Sequence, residues 1–284
     1  MKVYLMTDLE GVAGVYTWEN RKDESLENHE RRMRQRRWLA REVNAAADGF
    51  FAAGATEVLV NDGHGAGYTI DLDELDPRVE VIHGHERPFW LPLIETCDVT
   101  AIVGAHAKAA TPFACLRHSM SDEVRGYWFN GISMGEMGMQ AAIAGHYGIP
   151  FVFVAGDHWA CREMAKLCPG IVTVAVKRGL GTFCARTHTP AKAQQLIRAG
   201  AAKALAAAPK VKPIKLRSPI HLRLEMKNPV YDPERPPNGF RVLDPHTVET
   251  SAKDIIELFI KLYHYPPDFQ PKASPRRPPA TARR

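Results

Sequence analysis

The sequence predicts an α/β fold, a layered sheet with helices on both faces, followed by a small C-terminal α+β segment. Two observations carry this reading. Over the first two-thirds of the 284 residues, short apolar runs alternate with segments of helical periodicity, as they do in layered α/β domains. Past residue 208 the composition changes: seven of the 21 prolines fall between 209 and 237, a density that marks a boundary. The expected units are an α/β domain over 1–208, a small α+β segment over 209–264 and a disordered, proline-rich basic tail over 265–284.

The elements follow in order. KVYLMT reads as a strand from Lys2 to Thr7. From Glu30 to Ala53, apolar residues recur at helical spacing (Met33, Trp38, Val43, Ala47, Phe51), and Gly54 supplies a C-cap. Strands are expected at 56–61, 79–84 and 99–104. The alternating RGYWFNG reads as an edge hairpin strand. A helix of small residues runs from Met134 to His146, and PFVFVAG has the pattern of a buried strand. Asp157 to Leu167 is helical and Val172 to Lys177 extended. Pro190 to Ala208 is an Ala-rich helix with proline at its first position. In the last segment IHLRLEM alternates as a strand and Ala252 to Leu262 reads as a helix. The tail lacks aliphatic residues to bury.

Charge narrows the function classes. The formal charge is +5, but residues 265–284 hold five basic residues against one acid, leaving 32 basic and 31 acidic side chains elsewhere. A nearly neutral body weakens the case for nucleic acid, so a tail-driven nucleic-acid or partner-binding module is only the non-enzymatic alternative. The five cysteines (Cys97, Cys115, Cys161, Cys168, Cys184) have neither framework nor CxxC spacing. No signal-peptide core opens the chain, and no run approaches the roughly 18 apolar residues of a membrane span. A cytoplasmic protein with reduced thiols and no membrane partner is expected.

Chemistry-bearing residues recur immediately after apolar strands, where an open α/β sheet gathers its ligands. Asp8 and Glu10 leave the first strand at i and i+2, and Gly11 permits a sharp turn, so both carboxylates can reach one metal. An N-cap Asp with a solvated Glu is the plainer alternative. His64 sits between glycines in NDGHGAG. A phosphate loop is disfavoured there, because a GxGxxG pattern needs glycine where Tyr68 stands. His106 follows VTAIVGA, where a buried histidine bonded to a carbonyl is the alternative. Glu136 lies between glycines at the start of an apolar helix and needs a cationic partner, unless it simply faces the helix dipole. Five such ligands exceed one tetrahedral zinc but suit two metals sharing a short bridging acid, a place that Asp8 fits.

Four ordered stretches, TDLEG, VNDGHG, GAHAKAATPFACLRHSM and MGEMG, resemble the M55 family of zinc-dependent D-aminopeptidases from about Lys2 to Ala208. The resemblance implies two Zn2+ per subunit held by Asp8, Glu10, His64, His106 and Glu136, with Asp8 shared. It also implies His118 as an additional active-site histidine. The implied activity is removal of N-terminal D-amino acids, chiefly D-alanine, from short peptides. The implied assembly is a homo-oligomer of stacked rings, with a decamer as one stoichiometry.

Amide hydrolysis calls for a nucleophile at neutral pH, which a metal-activated water supplies; His118 then serves as proton donor, oxyanion partner or, less economically, nucleophile. Other polar residues read as bystanders: Asp157 as a helix N-cap beside His158, His83 and His85 without a partner acid, and Cys115 as a packed thiol. Lys108 and Asn130 are candidate substrate contacts. The rival enzyme is a two-metal phosphoesterase, which needs more Arg or Lys than Lys108 alone.

Overall fold

The computed structural model describes residues 1–266; the tail prediction falls, from residue 267 on, outside the described residues. A seven-stranded sheet forms the centre. It contains β1 (Lys2–Thr7), β2 (Glu57–Asn61), β3 (Glu80–Ile82), β4 (Val99–Ala105), β7 (Phe151–Asp157), β8 (Val172–Gly181) and β9 (Cys184–Thr187), in the order β3-β2-β1-β4-β7-β8-β9. All neighbours are parallel except β9, which returns antiparallel on β8.

Period-two alternation in β1 assigns the two faces. Val3 and Leu5 pack with α1 (Leu26–Ala52) and α4 (Pro190–Ala207), through Leu39, Val43, Ala47, Phe50, Ile197 and Ala201. Tyr4 and Met6 face the opposite layer, which contains α2 (Glu136–His146), α3 (His158–Leu167) and α5 (Ile255–Tyr263). The Ser25 hydroxyl caps α1 by accepting from Asn28 N, and Pro190 stands where α4 has no use for an N–H. Helices on both faces agree with the sequence-based fold.

A five-stranded antiparallel sheet, β11-β12-β10-β5-β6, covers the α2 side. Its strands are β5 (Val124–Phe129), β6 (Ile132–Met134), β10 (Ile220–Met226), β11 (Arg241–Asp244) and β12 (Thr247–Ala252). RGYWFNG was expected at an edge. It does form a hairpin with β6, but β10 pairs along its other side, so β5 is interior. The covering strand comes from some ninety residues further on, a partner that local alternation cannot announce. Strands beyond the expected boundary near 209 thus share a sheet with the middle of the chain. Met134, expected in the helix, closes β6; Gly135 is extended and α2 starts at Glu136.

β1 lies between β2 and β4. Strand order reverses direction there, and the carboxyl ends of the strands open a crevice at such a point. Among the described residues, no helix is long and apolar enough to cross a membrane.

Candidate metal centre

The loops leaving β1, β2 and β4 meet in this crevice. Backbone contacts, more than side chains, fix their approach. Asp8 N donates to Val103 O at 3.0 Å and Gly11 N to Gly104 O at 2.7 Å. Gly104 has φ +74°, and a Cβ there would sit 1.8 Å from Asp8 O, so the β4 turn closes on the β1 turn only with glycine.

This docking places Asp8 between two histidines. Its Oδ1 is 3.0 Å from His64 Nδ1 and its Oδ2 3.0 Å from His106 Nε2. Glu10 Oε2 lies 3.1 Å from the same His64 nitrogen. On the other side Glu136 Oε1 is 3.3 Å from His106 Nε2 and 3.7 Å from His118 Nε2. Two compact donor groups result, Asp8–Glu10–His64 and His106–His118–Glu136. The structure therefore brings together all six residues singled out from the sequence.

Main-chain carbonyls orient two of the rings. His106 Nδ1 faces Ala107 O and His118 Nδ1 faces Leu116 O, each at 3.0 Å. Since a carbonyl only accepts, both Nδ1 atoms carry hydrogen and both Nε2 atoms face the crevice. The two imidazoles stack with centroids 4.0 Å apart. Glu136, in the first turn of α2, accepts from Met120 N at 2.7 Å.

The electrostatics are those of a cation site. Burial opposes ionisation of Asp8, yet His106 and His64 hold its carboxyl far below the usual range. Glu136 behaves alike: despite burial, His106 keeps it at about 2. Burial also opposes charge on the imidazoles, but Glu10 and Asp8 around His64, and Glu136 and Asp8 around His106, raise both well above the ordinary histidine value. Two buried atoms, Glu10 Oε2 and His106 Nε2, lack any partner in hydrogen-bonding geometry. Unsatisfied acceptors of this kind are costly unless something else binds them. A nitrogen and oxygen donor set without sulfur fits divalent zinc.

The cavity over these groups measures about 340 Å³, with Met6, Ile102, Trp90, Met120 and Tyr265 as its less polar walls. Among the described residues lining it, none is Lys or Arg. Lys108 instead donates to Ser133. Asn130 is engaged with the backbones of Arg217 and His221 at the β5–β6 turn. His83, expected to lack a partner acid, instead pairs with Asp62 at 3.0 Å, and neither residue belongs to the two donor groups. Asp157 caps α3 by accepting from Trp159 N, and burial pushes the Cys115 thiol up.

Three supporting residues escape a linear reading. Lys177, 2% exposed, closes the apolar run of β8 and donates to Glu10 O and Val15 O. Glu163 on α3 accepts from Lys108 N at 3.0 Å and Gly135 N at 3.4 Å. An ionisable residue inside an apolar strand or on a buried helical stripe is the signal each leaves. Glu19, 3.4 Å from His64 Nε2, leaves none.

Comparisons with known proteins identify the family. A family model for M55 peptidases, described as D-aminopeptidase, matches residues 1–262. A D-aminopeptidase of Bacillus subtilis (strain 168) is 35% identical over 218 residues, 75% of this chain and 77% of that protein. The solved structure of the Zn-dependent D-aminopeptidase DppA from Bacillus subtilis, described as a self-compartmentalizing protease, superposes with a TM-score of 0.85. It is 31% identical, and the match covers 93% of this chain and 96% of that one.

Proposed function

The chain belongs to the M55 peptidase family of D-aminopeptidases, and from that premise we propose that its crevice holds two zinc ions and removes the N-terminal residue, D-alanine-like, from short peptides. One observation carries the binuclear reading: the two oxygens of Asp8 face different histidines, each at 3.0 Å. Asp8 would be held in common, with Glu10 and His64 holding one ion and His106 and Glu136 the other. Zinc, when bound, supplies a water with pKa near 7 and polarises a carbonyl.

His118 is the proton carrier. Its Nδ1–H is tied to Leu116 O, so Nε2 is the atom presented to substrate; it accepts a proton and returns it to the departing amine. Trp18 packs edge-on to its ring at 5.1 Å and limits its swing. A cavity with no Arg or Lys among its described lining residues suits a peptide better than a phosphoester, whose oxygens call for such donors. Phe113, Leu180 and Phe183 are each more than half exposed, in keeping with a homo-oligomer; we assign stacked rings with a decamer as the stoichiometry to be measured by sedimentation. The five unpaired cysteines accord with a reducing cytoplasm.

The test is zinc content per chain together with cleavage of D-Ala and L-Ala dipeptides and of a generic phosphate ester. Two zinc ions and D-selective peptide cleavage are expected; phosphatase activity without peptidase activity refutes the reading. His118→Ala should keep both ions and lose turnover. If it loses zinc instead, His118 belongs to the ligand shell, and a covalent adduct on His118 would make it the nucleophile.

A further inference from the structure

We propose that Glu19 is a positioning residue for the metal centre: its carboxylate receives the Nε2–H of His64 and thereby fixes that ring to coordinate through Nδ1. The inference rests on the binuclear reading above and concerns a residue outside the donor set.

His64 differs from the other two site histidines. Those give Nδ1–H to a main-chain carbonyl and present Nε2. His64 is turned the other way, with Nδ1 toward Asp8 and Glu10 at 3.0 and 3.1 Å. For Nδ1 to offer a lone pair, the ring hydrogen must reside on Nε2, and that tautomer needs an acceptor there. Glu19 Oε2 is that acceptor, at 3.4 Å.

The carboxylate is itself firmly held, its side chain only 6% exposed. Arg21 Nε donates to Oε2 at 2.8 Å and Arg32 Nε to Oε1 at 3.2 Å. Burial opposes its charge, yet His64 and Arg21 keep it ionised, with a value of about 2. The contacts also close a ring. Arg21 Nη2 donates to Thr69 Oγ1 at 3.2 Å, and Thr69 Oγ1 donates to His64 O at 3.2 Å. His64 is thus gripped at its imidazole and at its backbone by one ion-paired loop. Neighbouring Trp18 seats that loop against His118 and Phe183. A carboxylate behind a metal-bound imidazole orients the ring and raises its basicity, and losing such a partner typically costs about 10- to 100-fold in metal affinity.

The experiment is a zinc titration of the metal-stripped full chain in competition with a chromophoric chelator. For wild type, two bound ions are expected. Glu19→Gln, which keeps size and removes charge, should weaken one ion by about 10- to 100-fold and leave the other within about threefold. Arg21→Met, which releases the carboxylate without removing it, should give a smaller loss at the same ion. Asn20→Ala, which removes the loop's Asn20 Oδ1 contact to Lys22 N but not the carboxylate, should leave both affinities unchanged. If wild type binds two ions and Glu19→Gln binds both as tightly, Glu19 has no positioning role although the binuclear centre stands. Equal losses in Asn20→Ala and Glu19→Gln would also overturn the proposal, because loop placement would then be the cause. A wild type that binds no zinc fails the centre itself.

Discussion

The two halves of the crevice solve the same problem by different physics. On the Asp8–Glu10–His64 side, support comes from polar side chains: Lys177 beneath the loop, and Glu19 behind the ring, itself held by Arg21 and Arg32. On the His106–Glu136–His118 side, support is chiefly main chain: Ala107 O, Leu116 O and Met120 N, with Glu163 stitching two backbone N–H groups together. Main-chain partners come with the fold and need no particular residue. Side-chain ion pairs must be supplied one residue at a time, and their strength depends on burial. The first half is therefore the more sensitive to single substitutions, while the shared Asp8 should show no such asymmetry.

Asp8→Ala is the strongest test. Removing the residue that faces both histidines should empty both sites, and activity should fall by about 10³-fold or more, the scale of losing a preorganised electrostatic group. Elemental analysis checks the first claim and dipeptide turnover the second. Retention of one ion would place the bridge elsewhere. Lys177→Met comes next. It preserves the stem volume but leaves two buried carbonyls, Glu10 O and Val15 O, without their donor. At about 1–3 kcal/mol for each unsatisfied group, roughly 2–6 kcal/mol of stability should be lost. Chemical denaturation measures this, and zinc affinity should drop on the Glu10 side first.

In both halves the sequence made the donor residues more legible than the residues that support them. Asp8, Glu10, His64, His106 and Glu136 each sit at an element boundary beside glycine or just past a strand, and the topology of a parallel sheet gathers such positions without further information. The layered fold was readable because β1, β2, β4 and β7 are each built around a short apolar, buried run. The short polar strands β9 and β11 carry no alternation that distinguishes them from loops. β5 looked like an edge because its partner β10 is remote in sequence. Glu19, Lys177 and Glu163 act across 45, 167 and 55 residues respectively, and local pattern contains no trace of such pairings.

Glu42 extends the contrast to pH. It lies 2% exposed under the first half, accepting from Ala13 N at 2.9 Å, with Oε2 unpartnered. Burial raises it from an ordinary 4.5 to about 7, against the pull of Ala13 N–H and Lys177. The folded protein therefore binds this proton more tightly than the unfolded chain between those values. Stability should fall as pH rises through that window and level off above about 7. At 1.36 kcal/mol per pKa unit the loss over the whole window is roughly 3 kcal/mol. Glu42→Gln abolishes this contribution, so the stability difference between variant and wild type, measured on zinc-loaded protein, should shift in favour of the variant from pH 5 to pH 8. A difference independent of pH would mean that Glu42 titrates normally.

Glu163→Gln probes the second half and should have the smallest effect. The carboxylate accepts from Lys108 N and Gly135 N, the residues that follow Ala107 and precede Glu136. Burial raises its pKa despite the Lys108 N–H. The amide oxygen of glutamine can keep one of these bonds, and the Ala107, Leu116 and Met120 contacts remain in place. Loosening of the loops should then weaken zinc on the His106 side by about tenfold, the lower end of what outer partners contribute, with little change on the Glu10 side. The same chelator competition reads both ions. A loss on the Glu10 side instead would mean that the two halves are mechanically coupled through Asp8, and that the division between side-chain and main-chain support does not extend to their function.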